Sequence, residues 1–208
     1  MTLLLEQTRN IHAVGMNYAK HIEEMGSHRQ KEPVVFAKSP SCLTSANNVH
    51  FPDSLGMIHH EAELVMRLGQ DVPMGAYRDL DCLSHVLMGI DFTARELQAH
   101  YKQNRLPWHR GKNFRHAAWV SPAETVDPSQ PFTFHLEVNG EMRQQGDTTH
   151  MIHSFDKILA YINQTFDLQA GDLIYTGTPS GVGPVVNGDT VRVVCPQLST
   201  DQTIQVQI

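Results

Sequence analysis

Apolar residues at every second position, or in short runs closed by Gly, Pro, Asn or Asp, recur along this chain and predict many short strands. Strands are expected at residues 10–14 (ending at Gly15), 33–38, 58–68, 87–91, 132–138 and 173–175. Residues 190–194 and 203–208 are expected to pair, because Ile204, Val206 and Ile208 alternate with polar residues. Asn139-Gly140 is the strongest hairpin signal, since both central positions of a type I′ turn need positive φ. Helical spacing is rarer. Phe155, Ile158, Leu159 and Ile162 share one helical face over residues 154–163, with Ser154 as N-cap. Residues 94–103 read as a helix with Thr93 as its N-cap, and the first part of 77–87 as another. Residues 17–24 are a short helical or irregular segment, and 27–32, 45–48 and 187–189 read as turns. The fold class is α+β with a mostly β core, and the length suits one domain over residues 1–208.

Charged residues inside the apolar pattern point to chemistry. Glu61 and Glu63 stand at i and i+2 at the head of the run Leu64-Val65-Met66. On a strand those positions share a face, so the two carboxylates project side by side. Like charges that close raise each other's pKa unless a cation lies between them, and a hard dication suits the oxygens of both. The ordinary alternative is an exposed edge with two solvated Glu. Asp91 ends another apolar run, where a carboxylate is costly unless paired or bound to a cation. Glu61, Glu63 and Asp91 together would fill three of six positions around Mg²⁺ or Mn²⁺, with Ca²⁺ as a further candidate. Three carboxylates and one dication leave one negative charge. Lys112 would neutralise it and could hold an anionic substrate oxygen. Such a metal would act as Lewis acid and template.

Composition narrows the class. The formal net charge is −6, which argues against a nucleic-acid partner. Arg95, Arg110 and Lys112 are close enough in sequence to supply local cations for an acidic substrate. No apolar run approaches the length of a membrane span, and residues 1–10 lack a cationic n-region, so neither membrane nor signal peptide is expected. Cys42, Cys82 and Cys195 are scattered and odd in number, which favours reduced, buried thiols in a cytoplasmic protein. His150 and His153 stand three apart without a third ligand and read as surface residues or neighbours of a site, not as ligands. The loop Tyr175-Thr176-Gly177-Thr178-Pro179-Ser180-Gly181-Val182-Gly183 follows a strand. It lacks the Gly-Lys-Ser/Thr ending of a nucleotide P-loop, and its backbone N–H groups suit a carboxylate instead.

Five motifs come in one order. They are Asn17-Tyr18-Ala19-Lys20-His21-Ile22-Glu23-Glu24, His60-Glu61-Ala62-Glu63-Leu64, the stretch from Asp91 to Gln98, Arg110-Gly111-Lys112, and the Gly-rich loop from Thr176 to Gly183. In this the chain resembles the fumarylacetoacetate hydrolase family, in its short single-domain branch of acylpyruvases and oxaloacetate-handling enzymes. The resemblance covers nearly the whole chain. It implies a mixed β-roll of the family's C-terminal-domain type with a few short helices, and a homodimer. It implies His21 as general base, oriented by Glu24, on an N-terminal segment of about residues 1–45 that carries a lid. Arg95 and Gln98 match the family's substrate-binding pair, and Thr178 lies on the loop that would take a carboxylate. The family's frequent Asp after Lys-x-Phe is missing, since Arg115 follows Phe114 here, which leaves the substrate open.

The leading expectation is a metal-dependent hydrolase that cleaves an acylpyruvate such as fumarylpyruvate, with the metal stabilising the enolate that leaves. The alternative is an oxaloacetate decarboxylase or keto–enol tautomerase on the same metal. A non-catalytic binding module is the third reading, disfavoured by the complete set of charged residues.

Overall fold

The structure is a computed structural model that describes residues 5–24 and 29–208. The expected turn over 27–32 and the leucine run starting at Leu3 therefore lie partly outside the described residues. In chain order the elements are β1 (Ile11–Gly15), α1 (Ala19–Glu24), β2 (Val34–Lys38), β3 (Leu43–Thr44), β4 (Asn48–His50), β5 (Ile58–His60), β6 (Ala62–Leu68), β7 (Leu83–Asp91) and β8 (Thr93–Ala94). Then follow α2 (Arg95–Gln103), α3 (His109–Lys112), β9 (Ala118–Val120), β10 (Thr133–Val138), β11 (Glu141–Asp147), α4 (Phe155–Asn163), β12 (Leu173–Tyr175), β13 (Gly183–Val185), β14 (Thr190–Cys195) and β15 (Thr200–Gln207). A mostly β core with a few short helices is the class the apolar pattern predicts, and the mixed sheets are what the resemblance implies.

Three sheets carry the strands. The seven-stranded sheet has the order β2-β1-β12-β6-β7-β9-β3, the five-stranded sheet β11-β10-β14-β15-β4, and the small one β13-β5-β8. β1 and β12, β3 and β9, and β4 and β15 pair in parallel; the other pairs are antiparallel. The central strand β6 is buried at every position, as expected of a strand covered on both faces. Trp119 on β9 and Tyr175 on β12 are the largest fully buried side chains among the described residues, and the Tyr175 hydroxyl donates to the Trp119 carbonyl at 2.9 Å. β14 of the five-stranded sheet packs on β7, so one apolar cluster is shared between the two large sheets. The three cysteines are free and buried. No helix among the described residues is long and apolar enough to cross a membrane.

Local chemistry explains the elements that match. Asn139 and Gly140 both have positive φ, 53° and 79°, and close the β10–β11 hairpin. The Ser154 side chain accepts from the Lys157 N–H and starts α4, which buries Phe155, Ile158, Leu159 and Ile162. Three expectations are corrected. The strand over 58–68 is two strands: β5 pairs with β13 and β8, β6 pairs with β12 and β7, and Glu61 at the break changes sheets. The helix expected in 77–87 is a 3-10 turn over Leu80–Cys82. Asp79 caps it, while Tyr77 is drawn to α4 through its N–H to Asn163 and its hydroxyl to Asp156. Thr93 does not cap α2; Ala94 holds that position without a side-chain bond, and the Thr93 hydroxyl is committed to Lys112 and the Asp91 carbonyl.

Candidate active site

The break at Glu61 and the end of β7 bring three carboxylates together. One oxygen each of Glu61, Glu63 and Asp91 lies within 4.8 Å of the others, and all three residues are buried. The Asp91 N–H donates to the Glu61 carbonyl at 2.8 Å, which ties the break to the strand end.

Three cations bind two of the three carboxylates. Lys112 Nζ donates to Glu61 Oε2 at 2.8 Å, to Asp91 Oδ2 at 2.7 Å and to Thr93 Oγ1 at 2.7 Å, which commits all three of its N–H groups. Lys38 is buried and reaches Asp91 Oδ1 at 2.6 Å and the Lys112 carbonyl. Arg95 reaches Glu61 Oε1 at 2.6 Å and Gln98 Oε1 at 2.7 Å. Glu63 takes its hydrogen bond from the Gly177 N–H, at 2.7 Å, and not from a side-chain cation. Two features call for glycine at 177: its φ is +99°, and a Cβ would press on Asn17.

The electrostatics separate Glu63 from its neighbours. Burial, then the charges of Asp91 and Glu61, raise the Glu63 carboxyl well above its ordinary value; the Gly177 N–H opposes this. Burial would also raise Glu61, but Lys112 and then Arg95 outweigh it and hold Glu61 far below the usual range. Burial pulls the Lys112 ammonium down, and Asp91 and Glu61 outweigh that, so Lys112 stays above its ordinary value. For Lys38 burial wins over Asp91, and its value falls.

The donor set fits a hard dication. All three groups are carboxylates, each oxygen has two lone pairs, and the hydrogen bonds from Arg95, Lys112 and Lys38 use one on each of the four oxygens of Glu61 and Asp91. Glu63, raised by burial and then by like charge, is the group a dication would hold ionised. All-oxygen ligation matches Mg²⁺, Mn²⁺ or Ca²⁺ better than zinc or copper.

Above the carboxylates sits α1. His21 is buried and lines the same cavity, with Nδ1 3.2 Å from Glu24 Oε2. Glu24 in turn accepts from the Gly181 N–H at 3.0 Å, so α1 rests on the Gly-rich loop. Asn17 anchors the start of this segment. Its amide donates to the His153 and Thr176 carbonyls at 3.0 and 2.8 Å and accepts from the His153 N–H at 2.7 Å. Gln98 and Thr178 also line the cavity. Since Gln98 Oε1 faces Arg95, its amide nitrogen is the end left for a ligand.

All nine residues singled out from the sequence thus meet except that Glu24 stands behind His21, outside the cavity lining. Arg110 does not join them: it is exposed, because residues two apart on α3 face opposite ways and Lys112 is the one turned inward. Arg115 is exposed too and lies outside the lining. His153 is buried against Asn17 and His150 is exposed; neither joins the carboxylate group. Sequence reasoning missed Lys38, whose signal was the same as that of Asp91: a charge ending an apolar strand. It also missed the aromatic mouth, where Phe36 and Trp108 meet edge-on at 6.2 Å and Lys102 lies 6.0 Å from the Trp108 ring centre.

The chain is similar to proteins of known name. The chain is 38% identical over 186 residues to oxaloacetate tautomerase YcgM of Escherichia coli, covering 86% of this chain and 85% of the relative. It is 38% identical over 194 residues to the mouse mitochondrial oxaloacetate tautomerase FAHD1, covering 90% and 87%. Among solved structures, the fumarylpyruvate hydrolase of Pseudomonas aeruginosa in complex with Mn²⁺ and pyruvate is 29% identical, with a TM-score of 0.90 over 97% of this chain and 90% of that one. A fumarylacetoacetate hydrolase family protein from Yersinia pestis is 34% identical, with a TM-score of 0.88 over 96% and 93%. Residues 10–205 match the model of the fumarylacetoacetate hydrolase C-terminal family, and the chain belongs to that family.

Proposed function

We propose that the protein is a divalent-metal-dependent keto–enol tautomerase of oxaloacetate. The observation that carries this reading is the seat of His21 over the three carboxylates. Nδ1 faces the Glu24 carboxylate and so carries the proton, which leaves Nε2 as the basic nitrogen. Tautomerisation needs one group that takes a proton from carbon and returns it to oxygen, and no attacking water. The relatives named oxaloacetate tautomerase support the same choice over the acylpyruvate hydrolysis that leads from sequence alone.

Glu61, Glu63 and Asp91 would hold the cation, which when bound supplies Lewis acidity toward the keto oxygen. Lys38, Lys112 and Arg95 balance the three carboxylates, so the loaded site carries surplus positive charge and favours a dianion. Thr178 and the Gln98 amide nitrogen offer hydrogen bonds to a carboxylate. The cavity they line has a volume of about 60 Å³.

Acylpyruvate hydrolysis is the second reading, favoured by the likeness to the Pseudomonas fumarylpyruvate hydrolase. Stopped-flow absorbance of the oxaloacetate enol, with Mg²⁺ or Mn²⁺, tests the choice. Acceleration of enol–keto exchange well beyond that of fumarylpyruvate hydrolysis is expected. Hydrolysis with no effect on the enol would reverse the order.

A further inference from the structure

Gln144 is buried, yet it lies on the edge strand β11, where most neighbours are exposed. A bulge puts it there. In the β10–β11 ladder Glu137 pairs with Met142 and Leu136 with Gln144, so Arg143 is an extra residue. Counted from the turn, alternation would put Arg143 on the inner face and Gln144 outside; the added residue reverses this.

Inside, the amide uses both ends. Gln144 Oε1 accepts from the Ala62 N–H at 2.9 Å, and His60 Nδ1 stands 3.0 Å away. Nε2 donates to Thr178 Oγ1 at 2.8 Å and to the Pro179 carbonyl at 3.0 Å. The Ala62 N–H can only donate and the Pro179 carbonyl can only accept, so the orientation of the amide is fixed. His60 then carries its proton on Nδ1. Ala62 lies between the two glutamates, and Thr178 faces the cavity.

We infer that Gln144 is a positioning residue with two separable tasks. Its carbonyl holds the strand break that sets Glu61 against Glu63. Its amide nitrogen occupies the Thr178 oxygen as a donor, which turns the Thr178 hydroxyl proton toward the ligand carboxylate. The second task rests on the carboxylate-binding part of the proposed function. Gly181 adds a further link: its φ is +93°, and a Cβ would strike the Arg143 carbonyl, so the loop that receives Glu24 lies directly on the bulge.

The test uses the whole chain, with Mn²⁺ alone and then oxalate, a non-reacting dicarboxylate, as calorimetric probes. Gln144→Glu keeps an acceptor for Ala62 but loses both donors, and its carboxylate captures the Thr178 hydroxyl. Mn²⁺ affinity is expected to be retained or raised, and oxalate affinity to fall about 10- to 100-fold, the range for a hydrogen bond to a charged group. In a Thr178→Val background the same change should add little, since the lost donor acts through Thr178. Gln144→Leu removes both tasks and should weaken Mn²⁺ as well as oxalate. If Gln144→Leu does not fold, the Gln144→Glu arm decides alone. Unchanged oxalate affinity in Gln144→Glu, or a full additive loss in the Thr178→Val background, overturns the inference. Absence of tautomerase activity in a wild type that binds oxalate would instead sink only the proposed reaction.

Discussion

The floor of the site and its roof are built differently. The floor rises from β6 and β7 in the middle of the seven-stranded sheet, and Lys38, Lys112 and Arg95 fix the carboxylate oxygens of Glu61 and Asp91. The roof is a six-residue helix tied at its start by Asn17 and near its end by Glu24 on Gly181. Breaking one contact of the floor leaves a buried charge without its partner. The Glu24 contact of the roof lies at an exposed residue, so breaking it costs little. Such a division suits a site that keeps its charges fixed and admits ligand by moving the proton carrier.

The largest expected effect separates two ligands within the floor. Asp91→Ala leaves Lys38 buried without its carboxylate, and breaking such a pair costs about 3–5 kcal/mol. Glu63→Gln removes the one carboxylate that lacks a cation and relieves its repulsion with Asp91 and Glu61. Melting without metal should therefore fall steeply for Asp91→Ala and hold or rise for Glu63→Gln, while the Mn²⁺-induced shift disappears in both. Equal melting of the two variants without metal would contradict the division of charges.

His21→Ala breaks the roof alone. A positioned general base is worth about 10²–10⁴-fold, so enol–keto exchange should drop by that factor. Calorimetric Mn²⁺ affinity should stay unchanged. Loss of metal binding along with activity would show that roof and floor are one unit.

The two regions also differed in what the sequence disclosed. A carboxylate inside an apolar run is costly enough to announce itself, so Glu61, Glu63 and Asp91 were legible. Lys38 carries the same signal, but a lysine at a strand end reads as a side chain reaching for water. The break at Glu61 was hidden because both halves of 58–68 are apolar and only pairing partners reveal the change of sheet. Gln144 was out of reach, since one extra residue in a hairpin decides its face. The roof rested on resemblance, because a His–Glu pair three apart on a short helix is ordinary.

Lys112→Met is a smaller perturbation. It takes one cation from a pair of carboxylates that keep Arg95 and Lys38. Since all three of its N–H groups are engaged within the protein, its main task is neutralisation, and Mn²⁺ affinity should hold or rise as a neighbouring positive charge is removed. Oxaloacetate KM should increase. Full turnover at low substrate would make Lys112 structural.

The smallest effect is expected where the roof rests on the Gly-rich loop. Glu24 serves two donors at once, His21 Nδ1 and the Gly181 N–H. Glu24→Gln keeps the shape and one acceptor but gives up the charge, and its amide nitrogen cannot accept. A charge-assisted bond exceeds a neutral one by about 1 kcal/mol, so turnover should fall about 5- to 10-fold, far less than for His21→Ala. Hydrogen exchange distinguishes the cause. Amides of α1 should exchange faster in the variant, while those of β6 and β7 keep wild-type protection, because no floor contact passes through Glu24. Faster exchange in both regions would mean that the roof stabilises the floor, and the contrast between them would lose its basis.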